Sequence, residues 1–214
     1  MQSLTRCSMA SSAKRSRVAY LLRASGARVY ATYFMTPAVL SSRCASRASA
    51  RSLNIFLPPQ SQYSARCLDK SPTRNWLVAL HQDLSIPVRE RITHPDCTGW
   101  SEKEGVLFVQ PPLSVLESLV AVRVHLDECG PGAGPLRVVP GSHRHGRLSD
   151  SEARHQRQTN GETECFAKRG DVLLMRPLLL HASSKATAPS RRRVLHFLFG
   201  PAQLPHALRW DNAV

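Results

Sequence analysis

The chain has 214 residues and a formal net charge of +14. This length can bury one full-sized hydrophobic core, and no segment approaches the about 20 consecutive apolar residues of a membrane span. The charge would suit a nucleic-acid or membrane surface. However, residues 1–68 carry ten of the 29 basic residues and no acid, which leaves the remainder at only +4. We therefore expect no nucleic-acid or membrane partner.

The N-terminal segment, residues 1–62, is rich in Arg, Ser and Ala and contains no Asp or Glu. This composition is typical of an organellar transit peptide. A shifted reading frame in GC-rich coding sequence would give the same composition, and both interpretations stay open. We expect this segment to be poorly ordered and residues 63–214 to form one domain. The expected location is the cytoplasm, or an organelle if the segment directs targeting.

Beyond residue 62 the sequence changes to short apolar or alternating segments separated by Gly and Pro turns. Many short strands with such turns predict an antiparallel sandwich or small barrel and argue against alternating strands and helices. The segment "EARHQRQ" is interpreted as a solvated face. In chain order, we predict strands at 75–81, 83–88 and 106–110, a helix at 112–119, and strands at 119–127, 136–139, 164–168, 171–175, 178–183 and 192–199.

The first of these strands leads to His81 and Asp83, which are two positions apart. Side chains at this spacing share one face of a strand. Burial of an imidazole and a carboxylate is costly unless a partner compensates them, and a divalent metal would do so. Two His and one carboxylate on one face of an octahedral ion form the site of non-haem Fe(II) oxygenases. His125 and Asp127 have the same spacing and compete for this role.

His181, on a later apolar strand, would supply the third ligand to either pair. The number of predicted strands between each pair and His181 does not decide between them. Asp127 has an alternative structural role, because it can end a strand before the Gly-rich turn that follows. We favour His81 and Asp83 as the metal-binding pair.

Five segments in this order resemble the phytanoyl-CoA dioxygenase family: "HQDLSIPVRE", "GVLFVQPP", "VRVHLDECGPGAGPLRVVPGSHRHGRL", "GDVLLMRPLLLHASS" and "RRRVLHFLFG". The resemblance extends from about Tyr63 to Trp210. It implies a mainly β fold, the double-stranded β-helix or jelly roll of the cupin type, with a few flanking helices. It also implies a dioxygenase that uses Fe(II), 2-oxoglutarate and O2 to hydroxylate a small organic molecule, releasing succinate and CO2.

The resemblance further implies roles for individual residues. His81, Asp83 and His181 would be the catalytic iron ligands. An Arg after the distal His would bind the distal carboxylate of 2-oxoglutarate, assisted by Ser183. Asn75, just upstream of the first ligand, would also contact the cosubstrate.

Three consecutive arginines follow the distal His. Strand alternation places Arg192 on one face and Arg191 and Arg193 on the other, and periodicity does not identify the inward face. In the family the anchoring Arg lies eleven residues beyond the distal His, and Arg192 stands at that distance from His181. The resemblance therefore implies Arg192.

Two other functions stay open. The same fold without effective catalysis would serve as a small-molecule-binding module, and a cupin-type metal hydrolase or isomerase would use a similar site. The N-terminal segment does not resemble the helices and first strand that brace the sheet in this family. The sequence does not identify the substrate, and we expect a monomer or weak homodimer. His196, on the last strand, is interpreted as a hydrogen-bonded core histidine.

Overall fold

The computed structural model describes residues 20–24, 27–31 and 60–211. Two short helices are present in these ranges, α1 (Leu113–Ser118) and α2 (Asp150–Asn160), together with 3-10 turns at Pro131–Ala133 and Ser142–His145. The strands are β1 (Tyr20–Ala24), β2 (Ala27–Ala31), β3 (Gln60–Lys70), β4 (Val78–His81), β5 (Ile86–Val88), β6 (Thr98–Lys103), β7 (Val106–Gln110), β8 (Val120–His125), β9 (Leu136–Val138), β10 (Thr163–Cys165), β11 (Val172–Met175), β12 (His181–Ser183) and β13 (Arg192–Pro201).

The strands form three sheets. The largest has the order β1-β2-β11-β8-β13-β3, the second β10-β9-β12-β4, and the third β5-β7-β6. All pairs are antiparallel except β2 with β11. The predicted mainly β, jelly-roll class is therefore confirmed.

The two larger sheets pack against each other through alternate residues of their strands. Ala121 of β8 and Leu173 of β11 form one buried cluster with Leu136 and Val138 of β9. The face of β8 that carries Ala121 is therefore the inner face. By alternation, Arg123 and His125 lie on this inner face as well.

A second cluster closes one end of the barrel. Leu116 of α1 packs with Val109 of β7, Leu198 of β13 and Trp210 near the C-terminus. The apolar positions of the short segment "PLSVLESL" are thus buried at this end, as expected for the predicted helix. The predicted metal ligands lie at β4 and β12 of the second sheet.

Five elements were not predicted: the strands β1, β2, β3 and β6 and the helix α2. The helix α2 begins with a capping box, in which Ser149 Oγ accepts the backbone N–H of Glu152 and the Glu152 carboxylate accepts the backbone N–H of Ser149. None of its residues is buried, so "EARHQRQ" is solvated as expected, but on a helix. Strands β1 and β2 lie within segment 1–62, and β3 begins at Gln60, before the predicted domain start. The division at residue 62 stays a prediction.

No helix in residues 20–24, 27–31 or 60–211 has both the length and the apolar character needed to cross a membrane.

Candidate metal centre and cosubstrate pocket

The three predicted metal ligands meet where β4 pairs with β12. His81 and His181 are direct cross-strand partners in this antiparallel pair. Asp83 follows just after β4, and its backbone N–H donates to Pro177 O at 2.9 Å. As a result, one nitrogen from each histidine and one oxygen of Asp83 all lie within 4.8 Å of one another.

Hydrogen bonds fix the orientation of both imidazoles. His81 Nδ1 lies 2.8 Å from Ala79 O, and His181 Nδ1 lies 2.8 Å from Leu179 O. A carbonyl oxygen only accepts, so each Nδ1 carries the hydrogen and donates it. Each Nε2 then has a free lone pair. His81 Nε2 lies 3.5 Å from Asp83 Oδ1, and His181 Nε2 lies 3.7 Å from Asp83 Oδ2.

Three acceptors that face one another repel unless a positive charge lies between them. Metal-binding histidines commonly donate their other ring N–H to a backbone carbonyl, and both histidines do so here. The donor set therefore fits a divalent ion, with two imidazoles and one carboxylate as the protein's ligands.

The electrostatics agree with this assignment. When His81 Nε2 also carries a proton, it donates to Asp83; this hydrogen bond raises the pKa of His81, so positive charge is favoured beside this carboxylate. Burial lowers the pKa of His181 to about 4, which keeps this ring neutral at physiological pH. For Asp83, burial acts to raise the pKa, but the hydrogen bond with His81 and the neighbouring histidines outweigh it and hold the pKa well below its usual range. The carboxylate is thus ionised and available to a cation.

The competing pair is separated in the structure. His125 is buried on the inner face of β8, and burial lowers its pKa to about 4, with a further contribution from Arg123. Asp127 instead accepts hydrogen bonds from the backbone N–H, Nε and Nη2 of Arg193 at 2.8–2.9 Å. The two side chains do not share a site, and Asp127 has a structural role at the end of β8.

The three consecutive arginines lie as strand alternation requires. Arg192 is buried, with 3% of its surface exposed. Arg191 and Arg193 lie on the outer face, where they pair with Asp69 at 3.0 Å and with Asp127 at 2.8 Å. The inward-facing arginine is therefore the one that the family spacing implied.

The inner face of the large sheet carries a cluster of buried cations, Lys70, Arg123 and Arg192, with exposed fractions of 1%, 6% and 3%. Lys70 is the cross-strand partner of Arg192. In the part of the chain that the structure describes, none of the three forms a salt bridge with a carboxylate. Burial lowers the pKa of Lys70 to about 8 and the pKa of Arg123 to about 10, and the positive charge of Arg192 contributes to both shifts. This cluster therefore favours an anion.

The remaining predicted site residues lie around the cluster. Ser183 is buried, and its Oγ accepts a hydrogen bond from Lys70 Nζ at 3.0 Å. Asn75 donates to Ala186 O at 2.9 Å and accepts from Ala186 N at 2.8 Å. Asn75 thus fixes the backbone at Ala186, three residues after Ser183, and is not one of the three predicted metal ligands. His196 Nδ1 lies 3.4 Å from Arg123 Nη1, and burial lowers the pKa of His196 to about 4.

Sequence reasoning missed Lys70 and Arg123. Arg123 interrupts the apolar segment "VAVRVH" on β8 and lies on the same face of the strand as His125. A charge inside an otherwise apolar strand was the available signal, since charged residues are rarely buried without a function or a partner. Lys70 had no local signal, because its burial depends on the pairing of β3 with β13.

A second group of potential metal ligands consists of His94, Asp96 and His206. It lies at the surface, and the two imidazole rings stack at 3.5 Å with an angle of 20° between their planes. Nitrogen lone pairs lie in the plane of the ring. In nearly parallel stacked rings they run side by side and do not converge on one ion.

Comparison with known proteins identifies the family. The sequence model of the phytanoyl-CoA dioxygenase (PhyH) family matches residues 23–194. The chain belongs to the phytanoyl-CoA dioxygenase family. Its members are non-haem iron enzymes that use 2-oxoglutarate and O2. The match begins well before Tyr63, so the resemblance extends further toward the N-terminus than the sequence segments indicated.

Solved structures support the same fold. AviO1 from Streptomyces viridochromogenes Tue57 is 23% identical, with a TM-score of 0.50, over 73% of this chain and 58% of that protein. EvdMO1 is 21% identical, with a TM-score of 0.53, over 72% of this chain and 30% of that protein. The chain thus spans less than two thirds of the length of either protein. No curated relative matches the sequence.

Proposed function

We propose that this chain is an Fe(II)- and 2-oxoglutarate-dependent dioxygenase that hydroxylates a small organic molecule and releases succinate and CO2. One observation carries the proposal: three converging metal-ligand atoms lie at the strand pair β4–β12, and Ser183 of β12 contacts a cluster of buried cations that form no salt bridge among the described residues. Membership of the family supports it. A dianionic cosubstrate that chelates the metal matches both parts of this arrangement.

His81, Asp83 and His181 would hold the iron. When bound, Fe(II) supplies the oxidising chemistry, with O2 and 2-oxoglutarate as its co-reactants. The protein's own contribution is to present two imidazoles in fixed tautomers and one ionised carboxylate. With three protein ligands, coordination positions would remain for the cosubstrate and O2.

Arg192 and Ser183 would bind the distal carboxylate of 2-oxoglutarate. Arg192 Nε and Nη1 are buried and have no hydrogen-bond partner among the described residues. Unsatisfied buried donors are costly, so an acceptor at this place stabilises the pocket. Asn75 would act indirectly, because its amide fixes the backbone at Ala186, three residues after Ser183.

Two alternatives predict different behaviour. A binding module of the same fold would bind 2-oxoglutarate without turning it over. A cupin-type hydrolase or isomerase would need the metal but not the dicarboxylate, and the cluster of buried cations beside the metal ligands favours the dioxygenase over it.

The deciding experiment measures succinate formed from 2-oxoglutarate under air, with and without Fe(II), using the purified full chain. We expect iron-dependent succinate formation that Asp83→Ala abolishes. Asp127→Asn is the matched control, because it removes a carboxylate that faces Arg193 outside the pocket. Binding of 2-oxoglutarate without succinate would support the binding module. Metal binding without 2-oxoglutarate binding would support the hydrolase or isomerase.

A further inference from the structure

The inner face of β3 carries a second cation, Arg66, four residues before Lys70. Arg66 is the cross-strand partner of His196 on β13. Because side chains four positions apart lie on the same face of a strand, Arg66 faces inward like Lys70, but it is exposed. Its guanidinium carbon lies 5.3 Å from the centre of the Phe108 ring. In the part of the chain that the structure describes, its side chain forms no hydrogen bond or salt bridge.

Lys103, the last residue of β6, brings another cation to the same ring. Its Nζ lies 5.3 Å from the centre of the Phe108 ring, and its side chain is exposed. Among the described residues, no acid forms a salt bridge with it. Two cations beside one ring repel each other, and an anion that contacts both removes this repulsion. The surface at Phe108 therefore favours a negatively charged group.

His196 lies near both Arg66 and the metal ligand Asp83, because the charges of both act on its ring. Its Nδ1 lies 3.4 Å from Arg123 Nη1. Burial lowers the pKa of His196 to about 4, so the ring is neutral at physiological pH. A guanidinium only donates, so Nδ1 accepts and Nε2 carries the hydrogen. His196 thus adds a neutral N–H donor close to the metal site.

The cosubstrate does not reach this place from its own anchor. A strand rises about 3.3 Å per residue, so Arg66 lies about 13 Å along β3 from Lys70, the cross-strand partner of Arg192. A five-carbon dicarboxylate bound at Arg192 is shorter than this distance. The donors of Arg66, Lys103 and His196 are therefore available to a second ligand, which is the substrate to be oxidised.

We propose that Arg66, Lys103 and the Nε2–H of His196 bind an anionic group of the substrate, either a carboxylate or a phosphate. The inference rests on the proposed function for the metal and the cosubstrate, and it adds the substrate class, an organic anion. The three side chains offer donors and no acceptor, whereas the oxygens of an ionised carboxylate or phosphate only accept. Binding at this subsite fixes one end of the substrate, so that a C–H bond elsewhere in the molecule is held at the metal.

A structural role for the two exposed cations makes a different prediction. The stems of Arg and Lys cover apolar surface while their charged ends stay in water, so Arg66 and Lys103 would only shield the buried Phe108 from solvent. A methionine at either position keeps an apolar stem over the ring. Shielding therefore predicts little change in ligand binding for methionine variants, whereas anion binding predicts a loss for anionic ligands alone.

Calorimetry without O2 separates the two roles. The full chain, loaded with Mn(II) and saturating 2-oxoglutarate, is titrated with 3-phenylpropionate, phenyl phosphate and the neutral 3-phenylpropanamide. We expect at least one anion to bind at least about tenfold more tightly than the amide, the effect of one charge-assisted hydrogen bond. Arg66→Met should remove this preference without changing amide binding, and Lys103→Met should reduce it. Arg91→Met is the matched control, because Arg91 lies at the same 5.3 Å from a different ring, that of Trp100.

Arg66→Gln also removes the charge and serves if Arg66→Met does not fold. The anion that binds more tightly distinguishes a carboxylate from a phosphate substrate. Equal affinity for anions and amide, no binding of either anion, an unchanged preference in Arg66→Met, or an equal loss in Arg91→Met would overturn the proposal. If the Mn(II)-loaded protein does not bind 2-oxoglutarate, the proposed function itself fails. That result is distinct, and the same titrations with the metal alone then test the anion subsite.

Discussion

Replacing Arg192 with Ala removes the inward-facing guanidinium of β13. Its Nε and Nη1 have no hydrogen-bond partner within residues 20–24, 27–31 and 60–211, so both would be available to 2-oxoglutarate. A hydrogen bond to a charged group contributes roughly 1.5–3 kcal/mol, and about 1.4 kcal/mol corresponds to a tenfold change in affinity. The loss of one such bond therefore predicts at least about tenfold weaker binding.

Two effects keep the expected loss near this lower value. Lys70 and Arg123 remain in the cluster of buried cations, and the removal of one of three crowded cations relieves repulsion in the protein without ligand. Arg192→Lys should give an intermediate loss, because an ammonium retains the charge but not the planar set of donors. Neither variant should remove the metal, since Arg192 lies outside the ligand set.

The neighbouring arginines are matched controls. Arg191 and Arg193 pair with acids on the outer face, away from the buried cations. Their Ala variants should change 2-oxoglutarate affinity by less than about twofold, since they do not reach the pocket. Calorimetry on the metal-loaded protein measures all four variants. A large loss for Arg193→Ala with none for Arg192→Ala would show that the assigned inward face is wrong.

Three further predictions concern the ligands, the pocket charge and the backbone around it. His81→Ala should abolish iron binding, as measured by metal content, whereas His125→Ala should retain most of it. Burial lowers the pKa of Lys70 to about 8, so 2-oxoglutarate affinity should fall as the pH rises above about 8 and the ammonium loses its proton. Calorimetry across this range should show no such fall in Lys70→Arg. Gly134→Ala places a Cβ 2.5 Å from a backbone carbonyl, whereas Gly105→Ala meets nothing within 4 Å at a similarly positive φ. The first should therefore lower the thermal unfolding temperature more than the second.

The residues near β4 and β12 show how far sequence could locate the metal site. The spacing of His81 and Asp83 identified a pair on one face, but His125 and Asp127 have the same spacing. Periodicity could not choose between them, because the choice depends on which side of β8 faces inward and on where Asp127 finds a partner. Those facts follow from the pairing of distant strands and from the outer ion pair with Arg193.

The helix α2 illustrates a different limit. It buries no side chain, so it has none of the apolar periodicity by which helices are recognised in sequence. Its N-terminal signal was present, since Ser149 and Glu152 stand at the spacing of a capping box. The strand β6, "TGWSEK", is polar at most positions and lies at the edge of its sheet. It too lacked the alternation of a half-buried strand.

The outer ion pairs of β13 have a consequence for how the chain folds. Three identical residues in a row, "RRR", let this strand shift by one position with little local change in sequence, and such a shift turns every side chain to the opposite face. Ion pairs on both sides favour the observed register, since Asp69 lies on the neighbouring strand β3 and Asp127 follows the other neighbour, β8. Because these pairs set the register, the segment between β12 and β13 can gain or lose residues during evolution. The strand then still pairs with Arg192 on its inner face.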